Sequence, residues 1–303
     1  MKTQVDLKVL LGCICIFGSA FFFYLATVII KWAKIKGLQI DASLFVFARF
    51  LLGFISVLIL MAIKRKKIKI KKKRYLIGRT VANCVAVYCF FKGVDLTSVS
   101  QANILNMTYP LFIAVFSWIF LKQQRDAIAI VVVIIAFAGV WLILTPGEMN
   151  FHLNSLWALA SGITAAISMM CLNLSRQEHD IETTLLFLFG LGSVLICITF
   201  FNEIRLPQVV DVKYLFFCSV SGIVGQYLIT LGFKYVTAIE GGIISSTRIL
   251  LAAMLGPVIA MDPALSASGW AGAFLIFSGN IFLTVRKARR SNGKGLTPSP
   301  VKI

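Results

Sequence analysis

The sequence predicts an all-α integral membrane protein with ten transmembrane helices arranged as two inverted five-helix repeats. Three observations carry this reading: the composition, a series of apolar windows of membrane-spanning length, and an internal self-similarity. Of 303 residues, 59% are hydrophobic and 14% charged, too much apolar surface for a polar shell to cover in water, so lipid is the expected solvent. The net charge of +18 is bunched, with nine Lys and Arg from Lys64 to Arg74 and a further cluster from Arg286 to Arg290. That pattern reads as a topology signal, not as a nucleic-acid face, and no nucleic-acid partner is expected.

A hydrocarbon core roughly 30 Å thick needs about 20 apolar helical residues. Ten windows supply them: 9–30, 42–63, 75–94, 98–121, 127–146, 153–175, 183–202, 214–233, 239–261 and 264–286. The first, Val9 to Ile30, is 22 uncharged residues long and exceeds the apolar stretch of a signal peptide, with no small-residue cleavage site after it. The second carries Arg49 and the third Arg79, close to the basic run. The fourth holds an amide-rich stretch before Pro110, the eighth holds Gln226 and Tyr227, and the ninth holds Arg248 and Pro257. Continuous apolar runs favour helices over a barrel, because each must satisfy its own backbone in lipid. Connections are short, and the tail from Ser291 is expected to be disordered.

An even number of spans puts both termini on one side. With the termini cytoplasmic, 21 Lys and Arg lie in inner tails, loops and adjoining helix ends against 6 on the outer side, the orientation of an inner-membrane protein by the positive-inside rule. The run from Lys64 to Arg74 anchors this topology and is a candidate contact for anionic lipid head groups. The seven cysteines (Cys13, Cys15, Cys84, Cys89, Cys171, Cys197 and Cys218) lie in apolar stretches, and His152 and His179 stand apart from them. No disulfide framework, metal or other cofactor is expected.

Laid from Tyr75 onto Tyr214, 47 residues align without a gap and ten are identical, among them Tyr88/Tyr227, Gly93/Gly232 and Thr108/Thr247. The motif AFAGVWL (Ala136 to Leu142) meets IFSGNIF (Ile276 to Phe282) after one inserted residue. The expected units are residues 1–146 and 147–290, followed by a tail of 291–303. Five helices per half make the second half enter from the opposite face, an arrangement common among secondary transporters.

The stretch SLFVFARFLLG (Ser43 to Gly53), with its aromatic-Arg-Phe element at Phe47, Arg49 and Phe50, resembles the EamA family of the drug/metabolite transporter superfamily. So do GVDLTSVSQANILNMTYPLFIAVFSWIFLKQ (Gly93 to Gln123) and the Gly139-centred end of the fifth window. The similarity covers about residues 9–286. Two departures stand out: Gln123 or Gln124 occupies the place of the family's usual Glu after the fourth helix, and Pro110 aligns with Ile249, Pro257 coming later. The resemblance implies a carrier that commonly exports amino acids or related metabolites, driven by a gradient or by exchange, with no single substrate implied.

Arg248 is the most informative residue. Nine positions into its helix it lies about 13 Å deep, where an Arg costs on the order of 3 kcal/mol. Either it faces a central cavity and pairs a substrate carboxylate or phosphate, or it pairs protein carbonyls or an acid. Glu240, eight residues earlier, is a gating or coupling candidate at the inner boundary. Gln101, Thr108 and Tyr109 share one stripe of the fourth helix and Asn103 and Asn106 another, so one stripe is expected to line the cavity and the other to bond a neighbour. The alignment sets Tyr109 opposite Arg248. Asn83, Tyr88, Gln226 and Tyr227 fall at related depths and are candidates for the site or for interhelical bonds. Arg49 is read as structural or substrate-contacting, possibilities that include snorkelling, and Arg79 as snorkelling beside the basic loop. Pro110 and Pro257 supply helix breaks that permit rocking.

The expected function is movement of a small polar solute, amino-acid-like efflux being favoured over uptake of a larger nucleoside-type metabolite, by a monomer or homodimer. An integral lipid-processing enzyme would need a cluster of His, Cys or acids near an interface, and a channel would need rings of one charge. The sequence has neither, so no enzyme activity is expected.

Overall fold

A computed structural model describes residues 2–65, 73–120, 127–144, 153–175, 179–235 and 238–293. The described residues form helices and no strand: α1 (Lys2–Ile35), α2 (Ala42–Ile63), α3 (Lys73–Leu96), α4 (Val99–Asn106), α5 (Tyr109–Phe120), α6 (Ala127–Leu144), α7 (Ser155–Ser175), α8 (Ile181–Thr199), α9 (Val209–Tyr235), α10 (Ala238–Ile259) and α11 (Ala267–Gly293). Among the described residues five segments are long and apolar enough to cross a membrane: Val9–Ile35, Ala42–Ile63, Ser155–Leu172, Ile181–Thr199 and Val209–Gly232. Ile130–Leu144, Ile244–Ile259 and Ala267–Leu283 are shorter apolar helices. Most of the basic run, Gln123, Gln124 and Pro146 lie outside the described residues. α11 continues through Ser291 to Gly293, so the first residues of the expected tail are helical.

Burial is inverted relative to a protein in water. Ile134 and Phe274 are 64% and 68% exposed while Asn103 and Asn280 are fully enclosed. Polar side chains bond helices to one another inside and apolar ones face out, as lipid demands. Arg79 follows the same rule: it is 2% exposed, enclosed where α7 packs along α3, and does not snorkel as the sequence led us to expect.

The principal helix pairings repeat when the halves are exchanged. α1 packs on α9 as α7 packs on α3, α2 meets α9 as α8 meets α3, and α2–α8, α4–α10 and α6–α11 pair across the middle. The α2–α8 crossing shows this at single-residue level. Phe50 of α2 fills the space beside Gly192 of α8, and Phe189 of α8 fills the space beside Gly53 of α2, with the two rings edge to face at 6.0 Å. The offset that lays Tyr75 on Tyr214 also carries Phe50 onto Phe189 and Gly53 onto Gly192.

The α6–α11 crossing is closer still. A Cβ on Gly139 would stand 2.7 Å from the Gly272 carbonyl oxygen, and one on Gly272 would stand 2.5 Å from that of Gly139. Backbone cannot yield there as a side chain can. Gly139→Val is therefore expected to lower stability by roughly 1–3 kcal/mol, read as a drop in the unfolding midpoint in detergent.

The fourth window is two helices, not one. α4 starts on Ser98, whose hydroxyl accepts from the Gln101 amide at 3.0 Å, and stops at Asn106 because Pro110 removes a donor and crowds the preceding turn. Among the carbonyls at the break, that of Met107 accepts from Asn280 Nδ2 at 2.9 Å. Thr108 Oγ1 turns back to the Leu105 carbonyl at 2.6 Å, against Gly162 of α7. α10 runs unbroken through Arg248 and Ile249, which align with Tyr109 and Pro110, so the halves differ at the centre.

Candidate functional site

A cavity of about 100 Å³ opens where both halves meet, lined by α1, α2, α3, α4, α5, α7, α9 and α10. Two arginines face it. Arg248, 6% exposed, donates from Nη2 to Asn106 Oδ1 at 2.7 Å. Its guanidinium lies 5.0 Å from the Phe90 ring centre and 5.8 Å from that of Phe23. Asn106 is fixed in turn, since its Nδ2 donates to Ser161 Oγ at 2.8 Å and so turns the amide oxygen to Arg248. Arg49, 5% exposed, reaches the Gly222 carbonyl at 3.5 Å and lies 5.4 Å from Phe23 and 5.8 Å from Phe91. Gly222 is a slot for it: a Cβ there would meet Arg49 Nε at 2.7 Å.

Each guanidinium is thus partly compensated by ring faces and a single polar oxygen. Among the described residues the buried Nε of each has no hydrogen-bond partner, and no carboxylate lines the cavity. Tyr109 Oη and Ser245 Oγ, 3.2 Å apart, with Asn83 and Gln226 complete the polar wall. Two guanidinium groups and three aromatic rings thus frame one chamber, and a planar fork with spare donors is the chemistry that pairs with carboxylate or phosphate oxygens.

A family model described as the EamA-like transporter family matches residues 10–145 and again 153–285. The chain belongs to the EamA-like transporter family. It is a multi-pass membrane protein of that family, matched once in each half. It is 27% identical over 188 residues to an uncharacterized transporter of Helicobacter pylori, strain J99, covering 59% of this chain and 62% of that protein. It is 26% identical over 230 residues to the mouse solute carrier family 35 member G1, covering 70% of this chain and 61% of the relative. The chain therefore spans about three fifths of the length of the curated relatives it matches. A solved crystal structure aligns over 94% of this chain and 98% of its own with a TM-score of 0.61 and 17% identity, a likeness of fold alone.

Of the residues singled out in this EamA chain, Arg248, Tyr109, Asn83, Gln226, Arg49 and Asn106 come together at the cavity. Gln101 does not: its Nε2 donates to the Ile143 carbonyl of α6 at 2.8 Å. Thr108 is spent on the helix break, and Asn103 joins α4 to α1 through Thr27 Oγ1 at 3.0 Å. The two stripes of the fourth helix are mixed, because the break at Met107–Thr108 rotates Tyr109 relative to α4, and one residue from each stripe reaches the chamber. Tyr88 stacks on Phe200 at 4.4 Å and meets Trp157 edge-on, away from the cavity. Tyr227 packs against the core with its hydroxyl unpartnered. Pro110 opens α5, whereas Pro257 lies beyond the cavity in the last turn of α10. The side chain of Glu240 lies outside the described residues. Phe23, Phe90 and Ser245 went unnoticed in the sequence, since an aromatic or a serine in an apolar window looks like any packing residue.

Acids are buried at the ends of the bundle. Asp262, its side chain fully enclosed, pairs with Lys31 Nζ at 3.3 Å and accepts from the Ser100 amide at 3.0 Å and the Ser100 hydroxyl at 3.4 Å. An acid at the start of α4 also suits the helix dipole. Trp32 Nε1 donates to the Ile259 carbonyl at 2.8 Å, and Lys34 pairs with Asp95 at 3.1 Å. These contacts tie α1 to α10 and to α3 at one end. At the other, Lys64 pairs with the largely buried Glu182 at 3.1 Å, tying α2 to α8.

Proposed function

We propose that the protein is a secondary carrier that moves a small anionic or zwitterionic metabolite, amino-acid-like in size, across the inner membrane by alternating access, as efflux or exchange. The observation that carries this is the pair of incompletely satisfied arginines facing one chamber between the halves. A buried guanidinium with a spare donor is costly unless a ligand completes it. On this reading the chain crosses the membrane ten times with cytoplasmic termini, residues 1–146 and 147–290 being repeats of opposite orientation. The reciprocal Phe50/Gly192 and Phe189/Gly53 sockets support a two-fold relation that lets one half adopt the other's shape. The ties at Lys31–Asp262 and Lys64–Glu182 then close opposite ends of the pathway, and Glu240 is a coupling candidate at the inner mouth. A nucleoside-sized cargo is disfavoured, because about 100 Å³ of cavity is below the roughly 300 Å³ at which drug-sized pockets begin.

The test is flux in proteoliposomes holding the purified protein, loaded in turn with labelled acidic and neutral amino acids, short organic acids and nucleosides. Protein-dependent flux of an anionic or zwitterionic compound is expected. Flux of nucleosides alone would overturn the reading.

A further inference from the structure

The geometry points to a dianion as the cargo, with Arg49 and Arg248 each answering one negative charge. This rests on the carrier reading above and deepens it. A chamber meant for a zwitterion needs a carboxylate or a strong acceptor cluster for the ammonium end, and none of the described residues lining this one is an acid. Both guanidinium groups lie against the same Phe23 ring, at 5.4 Å and 5.8 Å. Their other ring contacts differ, Phe91 for Arg49 and Phe90 for Arg248. The two cations thus share one aromatic side chain. Each is more than nine-tenths buried, with its Nε unpartnered among the described residues. Two like charges brought together in a low-dielectric interior repel, and a monoanion leaves one of them uncompensated; a dianion neutralises the site. Asn106 and Gly222 hold the forks in place and contribute no formal charge of their own.

The cargo class is therefore a small molecule with two negative charges, a dicarboxylate or a phosphomonoester. The shared chemistry separates from its sources with matched pairs of probes: succinate against its monoamide succinamate, and methyl phosphate against dimethyl phosphate. Binding of all four to the purified full-length protein is followed by thermal shift at about pH 8, where a phosphomonoester carries close to two charges. At least one dianion is expected to bind about tenfold or more tightly than its monoanionic partner, and the pair that responds identifies the head group. Arg49→Gln and Arg248→Gln should each erase that preference, so that monoanion and dianion bind alike. Equal binding of a monoanion and its dianion to the unaltered protein would overturn the dianion assignment and leave the anion-carrier reading intact. If no anion binds and a neutral solute does, both fall. The comparison within each probe pair needs no variant, so a misfolded substitution cannot blur the result.

Discussion

Arg248→Met is expected to weaken binding of an anionic ligand by on the order of 100-fold or more while leaving the melting temperature of the ligand-free protein unchanged or higher. The two effects have one origin. Among the described residues the buried guanidinium has one hydrogen-bond partner, Asn106 Oδ1 at 2.7 Å, and its Nε has none. An unbranched thioether side chain retains much of the volume and packing against Phe23 and Phe90 without the desolvated charge, an exchange that is often neutral or stabilising for buried ions. The Asn106 oxygen left behind costs roughly 1–3 kcal/mol in the opposite direction, so stability changes little while recognition is lost. Arg248→Lys keeps the charge but loses the planar fork and the stacking on Phe90, and is expected to restore binding only in part. Arg248→Met with a much lower melting point and undiminished binding would mark the residue as structural.

Asp262→Ala should act in the reverse sense, on stability first. The carboxylate is fully enclosed and serves Lys31 and both the amide and hydroxyl of Ser100. Removing it strands the Ser100 amide and the Lys31 ammonium, whereas the Ser100 hydroxyl keeps the Ala252 carbonyl at 2.8 Å. A lost buried partner costs roughly 3–5 kcal/mol, and the 20% exposure of the Lys31 side chain lets that ammonium relax towards water, so about 2–4 kcal/mol is expected. One of the two ties between α1 and the end of α10 is also cut, the Trp32 bond to the Ile259 carbonyl remaining, which should favour conformations open at that end. A double-mutant cycle with Lys31→Ala separates the pair from its surroundings: coupling of at least about 1 kcal/mol is expected in the unfolding free energy, whereas simple additivity would mean that the two residues do not act as a unit.

Much of the helical framework was legible because lipid imposes it. Apolar length locates a spanning helix, and the offset between the halves is written in Tyr88/Tyr227 and Gly93/Gly232 as well as in the Phe50 and Phe189 sockets, which were readable in principle but stand in windows where phenylalanine and glycine are common. Arg248 was findable since an arginine that deep demands a reason. Arg49 was harder: counting from the helix end suggests that it can reach an interface, and only the packing of Gly222 and Phe23 around it turns it inward. The same counting failed for Arg79, which α7 encloses. Asp262 sits at the edge of its window in the sequence, and its burial depends on Ser100 and Lys31 from two other helices. The fourth helix was misread as one piece because its polar stripes were drawn on an unbroken cylinder; Pro110 breaks the register between Asn106 and Tyr109, so Asn106 and Tyr109 share the chamber while Gln101 and Thr108 do not.

Access to the chamber from both faces of the membrane is the property on which everything else depends. Ala165 lines the cavity on α7 and makes no use of its side chain beyond packing, so Ala165→Cys, placed in a background lacking the seven native cysteines, reports on it. In oriented vesicles a membrane-impermeant thiol reagent should label this cysteine when added from either side, and an anionic ligand that binds the protein should slow both reactions. Labelling from one side only, or at a rate no ligand alters, would contradict a carrier whose two halves take turns exposing a common anion site.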